Sequence, residues 1–211
     1  MNHRIFVFSG PTLGGKSWLL ERAREACLLD EASIIRMDDI RKKYWKDKVL
    51  TSAEGVYRNE LTRNELKKQL VIDRAPTVAL EMPLLTRRNH QEPLVDTVKS
   101  AESYLAQIAN EKGDAHPSMT LRIILLYSSL DEARRRMMER LRRDGTNTDV
   151  FDFNWAVRIW AQYELPNAYH PLYLNTSVGE SALQEAWDFL SGVEPDPDLM
   201  RMRANEFQGI I

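Results

Sequence analysis

The stretch that most constrains this chain is residues 4–20, which read RIFVFSGPTLGGKSWLL. Within it, Gly10-Pro11-Thr12-Leu13-Gly14-Gly15-Lys16-Ser17 matches the pattern G-x-x-x-x-G-K-[ST] in full. The short apolar run at residues 5–8 before it has the composition of a buried parallel strand. From Lys16 onward, apolar residues fall at 19, 20, 23, 26 and 27, a helical spacing that begins where the glycines end. A glycine-rich turn between strand and helix could arise without function. At average residue frequencies the full pattern occurs by chance in roughly one chain in a hundred of this length, and the flanking strand and helix make it rarer.

The residue types suit one chemistry. Gly10, Gly14 and Gly15 let the backbone wrap closely around a phosphate, with N–H groups turned inward at the positive end of a helix. Thr12 and Leu13, between them, count with the glycines as cofactor-binding positions. Lys16 is expected to reach the β- and γ-phosphates, and the Ser17 hydroxyl to ligate Mg²⁺. A bound nucleoside triphosphate, ATP with Mg²⁺, is the expectation.

Bulk properties narrow the class. A chain of 211 residues suits one domain with a full core. With 43% apolar and 28% charged residues, the composition is that of a soluble globular protein. A net charge of −2 provides no global field for nucleic acid or membrane, although a local basic patch stays compatible with it. The single cysteine, Cys27, excludes an internal disulfide, fits a reducing compartment, and is expected to be buried on the first helix. No apolar run reaches membrane-spanning length, and no signal-peptide plan opens the chain, so it reads as cytoplasmic. The four histidines are scattered and form no metal-ligand spacing.

Four further strands are expected at residues 33–37, 77–81, 120–127 and 172–175, alternating with helices. The second runs into Asp38-Asp39-Ile40-Arg41. In an open α/β sheet, ligands sit beyond the carboxyl ends of strands. Asp38 or Asp39 is therefore a candidate to take a proton from a substrate hydroxyl, and Arg41 to hold an anion, although either aspartate could simply favour the helix N-terminus. Residues 47–73 read as a helix from about Ala53, with Val56, Tyr57, Leu61, Leu66, Leu70 and Val71 as its packing stripe and Arg58 and Arg63 solvated. Glu81 ends the third strand, where an acid commonly holds Mg²⁺ or its waters in P-loop proteins. Arg87 and Arg88 follow in a loop, a candidate acceptor-phosphate clamp.

A long amphipathic helix over 91–112 should end at Gly113. After the fourth strand, Ser129 and Glu132 stand at capping-box spacing before a helix carrying arginines at 134, 135, 136, 140, 142 and 143. The absence of lysine there favours forked phosphate contacts, with Arg136 and Arg140 on one face. The polar segment 144–149 has the composition of a closing lid. Residues 151–165 read as a Trp-rich packing helix, and residues 181–190 as a last helix. The tail from Gly192 reads as extended.

This order of parts resembles the group of P-loop kinases that contains the 5′-hydroxyl polynucleotide kinases, zeta toxins and chloramphenicol phosphotransferases, over about residues 4–190. The resemblance implies an α/β, three-layer P-loop NTPase fold: a five-stranded parallel sheet with helices on both faces and a small Arg-rich lid. Residues 1–191 would form the kinase domain, with the lid at about 134–152, followed by the tail 192–211. It also implies that Asp38 is the general base, that Arg41 contacts the acceptor, that Arg136 and Arg140 are the lid arginines, and that the turn holding Thr176 lies near the adenine; Asp39 is counted beside Arg41 as a substrate-binding position. Strand three ends Glu81-Met82-Pro83 where many relatives carry Asp-Gly or Asp-Thr, and the P-loop lacks the Gly-x-Gly form common in the group. The expected activity is transfer of the γ-phosphoryl group of ATP to a hydroxyl acceptor, a polynucleotide 5′ end or a small molecule. The competing reading is an ATP-binding switch protein, which needs the P-loop and Mg²⁺ ligands but no base at Asp38.

Overall fold

The architecture follows from alternation along the first strand. In β1 (Asn2–Ser9), Ile5 and Val7 face one way and Phe6 and Phe8 the other, and all four are buried. A strand apolar on both faces belongs inside a sheet covered on both sides. The computed structural model describes residues 2–29, 31–46, 48–83, 86–144, 157–158, 160–165 and 171–210, and places β1 in that position. With β2 (Ser33–Arg36), β3 (Thr77–Glu81), β4 (Ser118–Tyr127) and β5 (Leu172–Asn175), it forms one parallel sheet in the order β2-β3-β1-β4-β5.

The two faces carry separate cores. Ile5 and Val7 pack with Leu66 and Leu70 of α3 (Ser52–Val71) and with Leu94, Val98 and Ala101 of α4 (Glu92–Lys112). Phe6 and Phe8 pack with Leu19, Leu20 and Ala23 of α1 (Lys16–Glu25) and with Ala186 and Phe189 of α6 (Ser181–Ser191). The five-stranded α/β sheet sandwiched by helices is as expected. α2 (Met37–Trp45) grows directly out of β2, and α5 (Leu130–Asp144) follows β4. The lid segment beyond Asp144, and residues 151–156 and 159 of the Trp-rich stretch, lie outside the described residues.

Three local expectations are corrected. In α3 the buried face is Asn59, Thr62, Leu66 and Leu70, while Val56 and Tyr57 are exposed. Two polar residues can take core positions there because each has a partner: the Thr62 hydroxyl donates to Arg58 O at 2.9 Å, and Asn59 bonds His90. Cys27 is exposed, because α1 ends at Glu25 and Cys27 turns left-handed at φ 58. The tail is not extended: Pro197–Ile210 forms α7. Its Met200 and Phe207 are buried, and the Tyr127 hydroxyl donates to Glu206 at 2.8 Å. Arg203 binds Glu185 and donates to Tyr173 O, so α7 completes the β5 edge.

Strand order also locates the cleft. The connection leaving β1 runs to β2 at one edge, whereas the one leaving β3 crosses to β4 on the other side of β1. Connections therefore part between β1 and β3, which is where open α/β sheets bind ligands.

Candidate functional site

The loop between β1 and α1 lies against the exit of β4. A Cβ at Gly10, whose φ is 143, would stand 2.0 Å from Leu126 O, and one at Gly14 would stand 2.7 Å from the same atom. A Cβ at Gly15, at φ 94, would press on the Thr176 side chain at 3.1 Å. Leu13 holds a left-handed φ of 69, and Gly14 N donates to Pro11 O at 3.1 Å, closing the turn. The loop is thus fixed from behind by neighbouring strand ends, leaving its open side for a ligand.

Thr176 and Arg136 belong to that backing. Thr176 is buried, with its hydroxyl 3.0 Å from Gly14 O and 2.9 Å from Tyr127 O, so it supports the loop from beneath rather than lining the nucleotide face. Arg136 donates through Nη1 to Leu13 O and Thr176 Oγ1, both at 2.9 Å, and through Nη2 to Thr176 O at 2.8 Å. Its Nε bonds Glu132, whose carboxyl is held down to about 2 by Arg135 and Arg136. Arg140, one turn further along α5, is exposed. The capping-box spacing before α5 is half used: Glu132 N donates to Ser129 Oγ at 3.2 Å, while the Glu132 side chain turns to the arginines. From the Trp-rich stretch, buried Trp160 donates its indole N–H to Thr12 O at 3.2 Å.

Lys16 lies across the loop, its Nζ donating to Gly10 O at 2.8 Å and Pro11 O at 2.9 Å. Burial pushes its pKa down, opposed by the charges of Glu81 and Asp38. Those two carboxylates are therefore within electrostatic reach of the P-loop ammonium. The Ser17 hydroxyl donates to Glu81 Oε1 at 2.6 Å. Glu81 also faces Arg36 Nε at 3.4 Å, and Arg36 in turn binds Glu21 of α1. A hydroxyl and a carboxylate this close form a hard-oxygen donor pair that fits Mg²⁺. With the Lys16 ammonium beside them and backbone N–H groups at the start of α1, the site fits a magnesium-bound polyphosphate.

Asp38 and Asp39 occupy the first turn of α2, both exposed and neither capping it. Arg41 Nε lies 3.8 Å from Asp38 Oδ1. The β3–α4 connection is a π-helical turn, Arg87–Gln91, rather than an open loop. There Arg87 pairs with Glu92 at 3.0 Å and its backbone N–H donates to Glu164, while Arg88 is exposed. The clamp predicted for these two arginines has one member already paired.

Sequence reasoning missed Arg36 and Arg58. Arg58 was expected in solvent. Instead its Nη2 donates to Asn59 Oδ1 at 3.2 Å, and Asn59 Nδ2 lies 3.0 Å from His90 Nε2. Arg58 Nε is buried without a hydrogen-bond partner among the described residues. Burial lowers its pKa, the charge of Asp38 raises it and that of Arg41 lowers it, so the three charges lie within electrostatic reach of one another. His90 is pushed down to about 4 by burial and by Arg58 and Arg63.

Among solved structures, the chain is similar to an inferred kinase from Chloroflexus aurantiacus, with TM-score 0.59 and 13% identity over 90% of this chain and 97% of that one. It is also similar to a Janibacter sugar kinase, with TM-score 0.53 and 12% identity over 90% and 95%. The tunicamycin resistance protein of Deinococcus radiodurans matches at TM-score 0.53 and 15% identity over 93% and 100%. No family model and no curated protein sequence matches the chain. The fold is that of the P-loop kinases, on a sheet whose first loop carries the complete nucleotide-binding pattern.

Proposed function

We propose that the chain is an ATP-dependent phosphotransferase acting on a hydroxyl acceptor. The observation that carries the reading is the convergence of Lys16, the Ser17–Glu81 pair and Asp38 at the β1/β3 parting of connections. A nucleotide switch needs the first three; the carboxylate at the exit of β2 favours transfer.

Magnesium–ATP, when bound, supplies the phosphoryl group and part of the neutralising charge. The work of the chain's own residues is positioning and electrostatics. Backbone N–H groups of the loop from Thr12 to Ser17 would bind the phosphates, Pro11 having none, and Lys16 would carry positive charge to them. Ser17 and Glu81 would hold the metal, with Arg36 Nε facing the Glu81 carboxylate at 3.4 Å. Asp38 would take the acceptor proton onto a carboxylate oxygen as the acceptor oxygen bonds to the γ-phosphorus and the bond from that phosphorus to the β–γ bridging oxygen breaks, with ADP leaving. Arg41 orients the acceptor, with Asp39 beside it, and Arg88 is the remaining candidate of the β3–α4 turn. Arg136 is assigned to holding Leu13 and Thr176 in place, and Arg140 to charge on the transferring group.

The test is label transfer from γ-labelled ATP to a panel of 5′-hydroxyl oligonucleotides and hydroxylated small molecules, with magnesium and with EDTA. Lys16→Ala should reduce transfer by at least a hundredfold. Release of inorganic phosphate alone, equal in wild type and Asp38→Asn, would favour the switch.

A further inference from the structure

A short stretch, residues 160–164, touches two separate parts of the site and has no share in the chemistry assigned so far. At one end, buried Trp160 donates its indole N–H to Thr12 O at 3.2 Å. The buried Tyr163 hydroxyl lies beside the Gly10 N–H, and the Tyr163 ring is backed edge to face by Phe207 at 6.0 Å. At the other end, Glu164 grips both ends of the π-helical turn Arg87–Gln91. Its Oε2 accepts from Arg87 N at 2.8 Å, and its backbone O accepts from Gln91 Nε2 at 2.9 Å. The opening N–H groups of a helical turn have no partner inside it. Glu164 supplies one for Arg87, as the Thr86 hydroxyl does for Asn89 at 3.2 Å. A stretch that only filled space would have no need of hydrogen bonds to both neighbours.

The loop end of this bridge is where a ligand acts. Lys16 Nζ has three donors and spends two of them on Gly10 O and Pro11 O, inside the 10–12 stretch that Tyr163 and Trp160 hold. A phosphate recruits the same ammonium, so the pull on these peptide groups changes when it binds. β4 leaves them little room behind, since a Cβ at Gly10 would stand 2.0 Å from Leu126 O. Close-packed groups transmit such a change rather than absorb it. The far end of the bridge is the turn that carries Arg88, exposed and free to meet an anion.

We propose that residues 160–164 couple the nucleotide loop to the β3–α4 turn. A polyphosphate on the loop settles Trp160 and Tyr163, and Glu164 passes that order to Arg87–Gln91, which sets the direction of Arg88. Glu164 is then a positioning residue that acts through Arg88, and Trp160 one that acts through Thr12. The coupling needs nucleotide binding alone; its use in placing an acceptor rests on the kinase reading. Because coupling is reciprocal, an anion held by the turn tightens nucleotide binding by the same factor.

Hydrogen exchange of the full chain, read by mass spectrometry over peptides covering residues 86–91, tests the coupling without any transfer step. The probe is a non-hydrolysable ATP analogue with magnesium, its binding followed in parallel by calorimetry. The analogue should slow exchange over 86–91 by at least about fivefold in the wild type. Glu164→Ala, which removes the side-chain acceptor for Arg87 N, should lose most of that slowing. Glu164→Gln, which keeps an acceptor oxygen, should retain it. Trp160→Phe keeps a ring but loses the N–H to Thr12, and should weaken the response as well. Melting temperatures of the variants serve as the folding control. In transfer assays Glu164→Ala should raise the acceptor KM by at least about fivefold and leave kcat near wild type, a split that general loosening of the fold would not produce. The proposal is overturned if the analogue binds and leaves exchange over 86–91 unchanged, or if Glu164→Ala and Trp160→Phe respond like wild type. An analogue that does not bind overturns the coupling and the kinase reading together. Slowed exchange without label transfer to any acceptor would sink the kinase reading and leave the coupling standing. Transfer with unchanged exchange would do the reverse.

Discussion

A methyl group at Gly10 would stand 2.0 Å from the Leu126 carbonyl oxygen, on a backbone whose φ of 143 already excludes most side chains. Gly10→Ala is therefore expected to cost at least about 2 kcal/mol of folding stability, from the clash and the backbone strain together. A urea titration reads this directly, and a variant as stable as wild type would show that the loop sits further from β4 than described. The example also marks what single residues reveal in sequence. Lys16, Ser17 and the glycines were legible because their chemistry is contiguous: eight residues between a strand and a helix. That Gly10 and Gly14 must be glycine for the sake of Leu126 was not legible, since the neighbour lies more than a hundred residues away. The same holds for Arg36, whose two carboxylates come from α1 and β3, and for Arg136, whose acceptors belong to the P-loop and the β5 exit.

At the scale of elements, α3 and α7 departed most from expectation. In α3, Leu66 and Leu70 are buried as expected, but hydrophobicity misplaced the first half of the stripe onto Val56 and Tyr57, where Asn59 and Thr62 are the polar residues that pack by being satisfied. One consequence concerns pH. His90 is pushed down to about 4, below its ordinary 6.5, by burial first and then by the charges of Arg58 and Arg63. The unfolded chain therefore binds a proton that the folded chain refuses between those values, so stability falls as pH drops from about 6.5 toward 4. Between pH 7 and 5 the loss from this site should be on the order of 1 kcal/mol after allowance for solvent screening. Denaturation curves of wild type and His90→Gln at the two pH values should differ by that amount, and identical pH dependence would contradict it. α7 was missed because its opening Glu-Pro-Asp-Pro-Asp reads as a linker, while the apolar residues behind it pay off only against a β5 edge that the sequence does not display. Phe207 meets the rings of Tyr127 and Tyr163 at 5.5 and 6.0 Å. Phe207→Ala is expected to destabilise the domain by about 3 kcal/mol or more, measured as a fall in the urea midpoint.

For the whole molecule, the sheet class was legible because strands and helices alternate along the chain and β1 is apolar on both faces. Strand order was not, since it depends on which crossover passes over β1. That order creates the crevice between β1 and β3, and it gathers Lys16, Ser17, Glu81 and Asp38 from three separate stretches of chain. The central claim is that these groups transfer a phosphoryl group to a hydroxyl, with Asp38 receiving the proton. The most direct measurement follows label from γ-labelled magnesium–ATP, partitioned between acceptor and inorganic phosphate, in wild type and in Asp38→Asn. The account predicts labelled acceptor from wild type, with transfer slowed by roughly a hundredfold or more in Asp38→Asn while ATP affinity holds. Transfer at the wild-type rate in Asp38→Asn would contradict it.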